Sequence, residues 1–320
     1  WPCRYLLLGA LLADFVGASW LSPWWAKNLS TPALRGGTRG GSDFPMPPDT
    51  RPAECRRSFD DVGNGTHPAV SIIIPYLRES WEHLSKTLRS VLHFTPDALI
   101  EELLFISDGN PPELTFEDAL KSMSPKVVVI KSTERTGLMR AKMKAVEHAK
   151  AEVLVFMEAH CIVNRDWLQP LLVRLSEVPR ALVQPFLDII PMGNFDRYAK
   201  GVSGHWRFEW NMNLIYTAPR EPDHGQASDA PQLSPATSGG IFAIRRDWWR
   251  RLRFYDPEML EWGGDHVEAT MKVWRCGGRI EVLPCSRVGH LFRDPAHRPY
   301  SVEVQTVVHN YARLAEVWLD

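Results

Sequence analysis

The chain has 320 residues, a formal net charge of −1 and 44% hydrophobic residues. A chain of this length can bury a large core, as one big α/β domain or as two smaller ones. The near-zero charge leaves no broad basic field and argues against a nucleic-acid partner.

Residues 5–21 are almost wholly apolar (YLLLGALLADFVGASWL). This run is at the short end of what spans a bilayer, and Asp14 near its centre would cost about 2.5–3.5 kcal/mol on insertion scales. A signal anchor, a signal peptide and a buried segment all stay open for residues 1–27. Residues 28–66, rich in Pro, Gly and Arg, read as a stem and linker that wraps onto a domain at 67–320. The sequons at Asn28 and Asn64 fit a secretory route, although such triplets are common by chance. The five cysteines show no CxxC or Cys/His spacing, which argues against a zinc site.

From Ala69 the pattern changes. Residues 69–75 (AVSIIIP) form a β-branched run that predicts a buried strand. Apolar residues at 81, 84, 88, 91 and 92 predict a helix over 81–94. Further strands are expected at 100–107, 127–130 and 153–157, with helices at 113–122 and 138–149 between them. In the second half, strands are expected at 181–189, 239–245 and 279–283, and helices at 265–276 and 303–319. Short buried strands alternating with helices predict an α/β fold with a mainly parallel, Rossmann-like sheet. Such sheets bind ligands at the carboxyl ends of their strands, where Tyr76 to Glu79, Asp108 and Glu158 to His160 fall.

Several of these positions carry chemistry. Glu158 and His160 follow an apolar strand, and in extended backbone residues i and i+2 point the same way. One oxygen and one nitrogen suit Mn²⁺ or a similar divalent ion; equally, Glu158 could cap a helix and His160 be an ordinary surface residue. Asp108, ahead of Gly109-Asn110, could accept from a ribose or close a turn. Gly239-Gly240 before a strand permits close approach of a ligand, or a β-bulge. Trp262-Gly263-Gly264-Asp265 opens a helix and offers an aromatic face and a carboxylate, as a sugar requires, although Asp265 could merely cap the helix. His290 and Arg293 follow a strand, and a guanidinium there could hold a diphosphate, while His290 by itself reads as a core histidine.

Taken in order, these segments resemble the polypeptide N-acetylgalactosaminyltransferases, which begin mucin-type O-glycosylation. The resemblance runs from Pro48-Asp49-Thr50-Arg51 and Cys55 through Val70 to Pro75, Gly137-Leu138-Met139-Arg140-Ala141 and Glu158-Ala159-His160-Cys161. It continues through Ser238-Gly239-Gly240-Ile241-Phe242, Trp262-Gly263-Gly264-Asp265 and Val288-Gly289-His290-Leu291-Phe292-Arg293 to Arg313-Leu314-Ala315-Glu316-Val317-Trp318. It implies a GT-A-type glycosyltransferase fold and a retaining, Mn²⁺-dependent transfer of GalNAc from UDP-GalNAc to Ser or Thr of a polypeptide. Same-face attack, with the diphosphate taking the acceptor proton, then requires no enzymic nucleophile.

The resemblance also assigns roles. Glu158, His160 and His290 would hold the metal, and Asp108 the uridine–ribose part. Arg140 and Arg293 would face the donor, Gly239, Gly240 and Asp265 would line the sugar pocket, and Trp262 would sit over the reacting centre. Cys55 would pair with Cys285, leaving Cys276 free. The implied setting is the Golgi lumen, as a type II membrane protein. Three departures stand out: Glu158 where Asp is usual, Tyr76-Leu77-Arg78-Glu79 in place of a His-Asn-Glu loop, and Asp265-His266 in place of Glu-Asn. They open the alternatives of another donor sugar or of a nucleotide-sugar-binding homologue with little turnover.

Overall fold

A computed structural model describes residues 35–36, 45–56, 62, 67–201, 204–217, 229–293 and 295–319. The apolar segment within 1–27 and most of the stem within 28–66 lie outside the described residues. Among the described residues no helix is long and apolar enough to cross a membrane.

The first half alternates as its sequence pattern requires: β1 (Val70–Tyr76), α1 (Trp81–Phe94), β2 (Ile100–Asp108), α2 (Glu117–Met123), β3 (Val127–Ser132), α3 (Leu138–His148) and β4 (Val153–Phe156). β5 (Cys161–Val163), α4 (Gln169–Glu177) and β6 (Ala181–Ile190) follow, then a hairpin of β7 (His205–Phe208) and β8 (Leu214–Thr217). The chain ends with β9 (Gln232–Leu233), β10 (Phe242–Arg245), α5 (Arg246–Arg251), α6 (Asp265–Arg275), β11 (Arg279–Leu291) and α7 (Val304–Trp318). One sheet of nine strands runs β9-β11-β6-β10-β4-β1-β2-β3, with β5 added beside β11. β1, β2, β3 and β4 pair in parallel, as do β6 and β11, whereas β5, β9 and β10 join antiparallel.

The alternation of side chains along β1 divides the core. Ile72 and Ile74 face α1, whose Leu84, Leu88 and Val91 lie on one stripe. Ile73 faces the other way, into a cluster with Met139 and Ala145 of α3 and Val267 of α6. Covered on both faces, β1 is buried along nearly its whole length, which is why its sequence is a continuous apolar run. Ser80 caps α1 by accepting from the His83 amide at 3.2 Å.

The helix expected over 113–122 begins only at Glu117; a short 3-10 turn at Pro112–Leu114 precedes it. The strand expected at 279–283 runs on to Leu291 through Pro284, with a register shift between Leu283 and Arg287. Pro and Ser at that irregularity hide the strand's continuity from a pattern reading. The disulfide Cys55–Cys285 sits at the same place, while Cys161 (buried) and Cys276 (exposed) are free. It ties the 45–56 segment to the domain, together with Arg51, 2.6 Å from Asp166, and Asn164, whose side chain donates to the Pro48 carbonyl at 2.8 Å.

Candidate active site

The carboxyl ends of β1, β2 and β4 lie side by side because these strands are parallel neighbours. Two antiparallel registers then add the remaining groups. β5 pairs with β11 so that Cys161 faces His290, and the Leu291 amide donates to the His160 carbonyl at 3.2 Å. A residue 130 positions downstream is thereby set beside His160. β10 pairs with β4 so that Phe242 faces Phe156; two steps further along, Gly240 meets Glu158. The resulting cleft encloses about 1130 Å³, counting space open to solvent, and Tyr76, Asp108, Glu158, Trp262 and Tyr300 are among its walls.

Glu158, His160 and His290 each turn one ligand atom to a common point, and these atoms lie within 4.8 Å of one another. Glu158 Oε2 is 3.2 Å from His160 Nε2 and in direct contact with His290 Nε2. One carboxylate oxygen and two imidazole nitrogens form a donor set that fits a borderline divalent cation such as Mn²⁺. Burial pushes the Glu158 carboxyl up, but the His290 charge and the hydrogen bonds of both histidines outweigh it and hold the group well below the usual range. Burial pushes His160 down, yet Glu158 and Glu79 raise it above its ordinary value; for His290 burial prevails and the imidazole is pushed down. His290 Nδ1 is buried with no hydrogen-bond partner among the described residues.

The other predicted residues divide. Gly240, Trp262, Asp108 and Arg293 all border the cleft. Asp108 accepts from the Thr136 amide and hydroxyl, both at 2.7 Å, and from the Gly137 amide at 2.9 Å. Its carboxylate thus builds the turn that opens α3 while facing the cleft. Gly137, at φ +93°, has no room for a side chain: a Cβ would come within 2.3 Å of Glu261 Cα. Trp262 carries the Arg298 guanidinium 4.3 Å above its ring. Arg293 is paired with Glu79 at 2.6 Å.

Gly239 lies one step back, its Cα–H turned toward His266 and Asp265, and Asp265 is buried against Lys142 at 3.3 Å. Arg140 does not face the donor cleft as expected. Its guanidinium donates to the Pro257 carbonyl at 3.2–3.3 Å on the exposed side of α3. Helical phase explains this: Leu138, Ala141 and Lys142, at i, i+3 and i+4, form the face that lines the cleft, and residue 140 lies off it. Lys142 is the cation this helix presents, a residue the motif reading passed over although its spacing from Leu138 marks it. Arg298 and Tyr300 also border the cleft and sit in no motif.

Residues 71–253 match the family model described as glycosyl transferase family 2, and residues 226–296 that described as the N-terminal domain of galactosyltransferase. Human polypeptide N-acetylgalactosaminyltransferase 6 is 35% identical over 285 residues, covering 85% of this chain and 45% of the relative. Mouse polypeptide N-acetylgalactosaminyltransferase 16 is 37% identical over 259 residues, covering 79% and 46%. An inactive polypeptide N-acetylgalactosaminyltransferase-like protein 5 from Macaca fascicularis is 34% identical over 278 residues, covering 85% and 62%. The chain therefore spans about half the length of most of these relatives. Among solved structures, GalNAc-T7 with UDP, GalNAc and Mn²⁺ superposes with a TM-score of 0.76 at 29% identity, covering 84% of this chain and 52% of that one. A mannosyltransferase from Pyrobaculum calidifontis shares the fold at a TM-score of 0.50 and 17% identity.

Proposed function

Because the chain belongs to glycosyl transferase family 2, with polypeptide N-acetylgalactosaminyltransferases as its relatives, we propose that it transfers GalNAc from UDP-GalNAc to Ser or Thr hydroxyls of polypeptides with Mn²⁺. The observation that carries this reading is the convergence of Glu158, His160 and His290 at the edge of the cleft. A cation bound there supplies Lewis acidity to a departing diphosphate. Arg293, bordering the same cleft, adds fixed positive charge where that leaving group develops its own. Trp262, under Arg298, gives an aromatic wall against which the sugar's C–H face can rest. Asp108 and Gly137 shape the nucleoside end. In the transfer the bond from the anomeric carbon to the diphosphate oxygen breaks and the bond to the acceptor oxygen forms. The acceptor proton passes to the diphosphate, so the protein need hold no nucleophile. The Cys55–Cys285 disulfide favours an oxidising compartment, in keeping with action in the Golgi lumen.

The test is an assay with Mn²⁺ that follows donor hydrolysis and peptide transfer for UDP-GalNAc, UDP-Gal and UDP-GlcNAc. Preference for UDP-GalNAc with transfer to Ser/Thr peptides is expected. Turnover of another donor alone would favour the second transferase reading, which Asp265-His266 motivates. No turnover from any donor, despite measurable UDP binding, would leave a nucleotide-sugar-binding homologue. That last reading draws on Glu158, whose added methylene carries its carboxylate against Gly240, and on the likeness to a relative named inactive.

A further inference from the structure

Glu79 belongs to the loop after β1 and is 4% exposed, yet its carboxylate touches four groups at once. Oε2 is 3.0 Å from His160 Nδ1. Oε1 accepts from Arg293 Nη2 at 2.6 Å and from the Ser80 amide at 3.1 Å, and lies 2.7 Å from His83 Nδ1. The Arg293 guanidinium and the Ser80 amide can only donate, and a carboxylate paired with a guanidinium at this distance is ionised. An ionised carboxylate only accepts, so His160 must offer Nδ1–H. With the proton held on Nδ1, Nε2 can give its lone pair to a cation; with no cation there, Glu158 Oε2, 3.2 Å away, draws a second proton to the same atom. His290 has no such support, since its Nδ1 has no partner among the described residues.

We propose that Glu79 is a positioning residue that fixes the tautomer and ring orientation of His160, through Nδ1–H, so that Nε2 faces a divalent cation shared with Glu158 and His290. The inference rests on the metal reading of that trio. Carboxylates that orient metal-binding histidines in this way change metal affinity by about 10–100-fold when altered.

Glu79→Gln is a discriminating change because it keeps the shape. Arg293 and the Ser80 amide can only donate, so the Gln oxygen must stay on the Oε1 side. Its NH₂ then faces His160 Nδ1, which becomes an acceptor and moves the proton to Nε2. A residue serving only as a partner for Arg293 would leave the His160 tautomer unchanged.

Long-range ¹H–¹⁵N NMR of histidine-labelled protein without metal, with His160 assigned by its loss in an H160Q variant, reads the tautomer directly. Expected are a proton on Nδ1 in the parent chain, whether or not Glu158 draws a second one to Nε2, and a bare Nδ1 with Nε2–H in E79Q, with Mn²⁺ affinity by EPR titration reduced about 10–100-fold in the variant. A bare Nδ1 in the parent chain, or unchanged Mn²⁺ affinity in a folded E79Q, overturns the proposal. If E79Q does not fold, the parent spectrum alone decides. A parent chain that binds no Mn²⁺ overturns the metal reading itself, while the spectra still judge what Glu79 does to His160.

Discussion

Gly240 lies so close to Glu158 that a Cβ on it would sit 2.6 Å from Glu158 Oε1 and 2.9 Å from its Cδ. The room left by that glycine is where the longer acidic side chain rests. Gly240→Ala must therefore push the carboxylate away, and the clash is with the free end of a side chain rather than with backbone. Mn²⁺ affinity by EPR is expected to fall about tenfold, the scale of a disturbed metal shell, with the melting temperature nearly kept. Adding Glu158→Asp, which withdraws the carboxylate by one methylene, should restore part of the loss. A double variant no better than G240A alone would show that the contact does not govern the site.

Lys142 and Asp265 form a buried pair, 2% and 8% exposed, and Lys142 also donates to the Gly239 carbonyl at 2.9 Å. Removing one partner strands the other charge, so Lys142→Met should destabilise by about 3–5 kcal/mol in urea unfolding. The pair also sets a pH dependence. Burial pushes the Asp265 carboxyl up, but the Lys142 charge, with the neighbouring His266, outweighs it and the group is held below its ordinary 3.8. A depressed carboxyl stabilises the fold fully above that ordinary value and loses its contribution as pH falls through the lower folded value. Urea midpoints measured from pH 6 down to pH 2 should show a larger acid-side loss in the parent chain than in K142M.

Arg140 and Lys142 are two residues apart and should behave oppositely. Arg140→Ala removes a cation that lies outside the cleft and is expected to change UDP affinity by no more than about twofold, the range of an ordinary surface substitution. Calorimetric titration with UDP checks this; a tenfold loss in R140A would mean that its guanidinium swings into the cleft when the nucleotide binds.

The Cys55–Cys285 crosslink closes a span of 230 residues. Its removal in a C55S/C285S variant is expected to cost about 2–5 kcal/mol. Thermal unfolding with and without reductant should show the parent falling to the level of the variant, and the variant indifferent to reductant.

Much of the first half was legible because each strand there is covered on both faces and each helix carries one apolar stripe; α1 begins and ends where its spacing predicts. The second half was less so. β5 is three residues long and is a strand only because β11 lies beside it. Likewise, Glu158 and His160 could be paired from their i, i+2 spacing, but His290 joins them through a register that no local pattern records. Arg140 shows the converse: a motif carries a residue's type and place in the chain, while helical phase decides which way it points.

The same crosslink has a consequence for how the molecule is made. Cys55 leaves the ribosome well ahead of Cys285, and at about 5–20 residues per second the interval lasts roughly 10–50 s. Throughout that time the Cys55 thiol has no native partner, and β11, which brings both Cys285 and His290, has not been synthesised. Closure of the disulfide and arrival of the last metal-ligand candidate are therefore one late event. The nascent chain must therefore keep an early thiol unspent until the final strand of its sheet arrives.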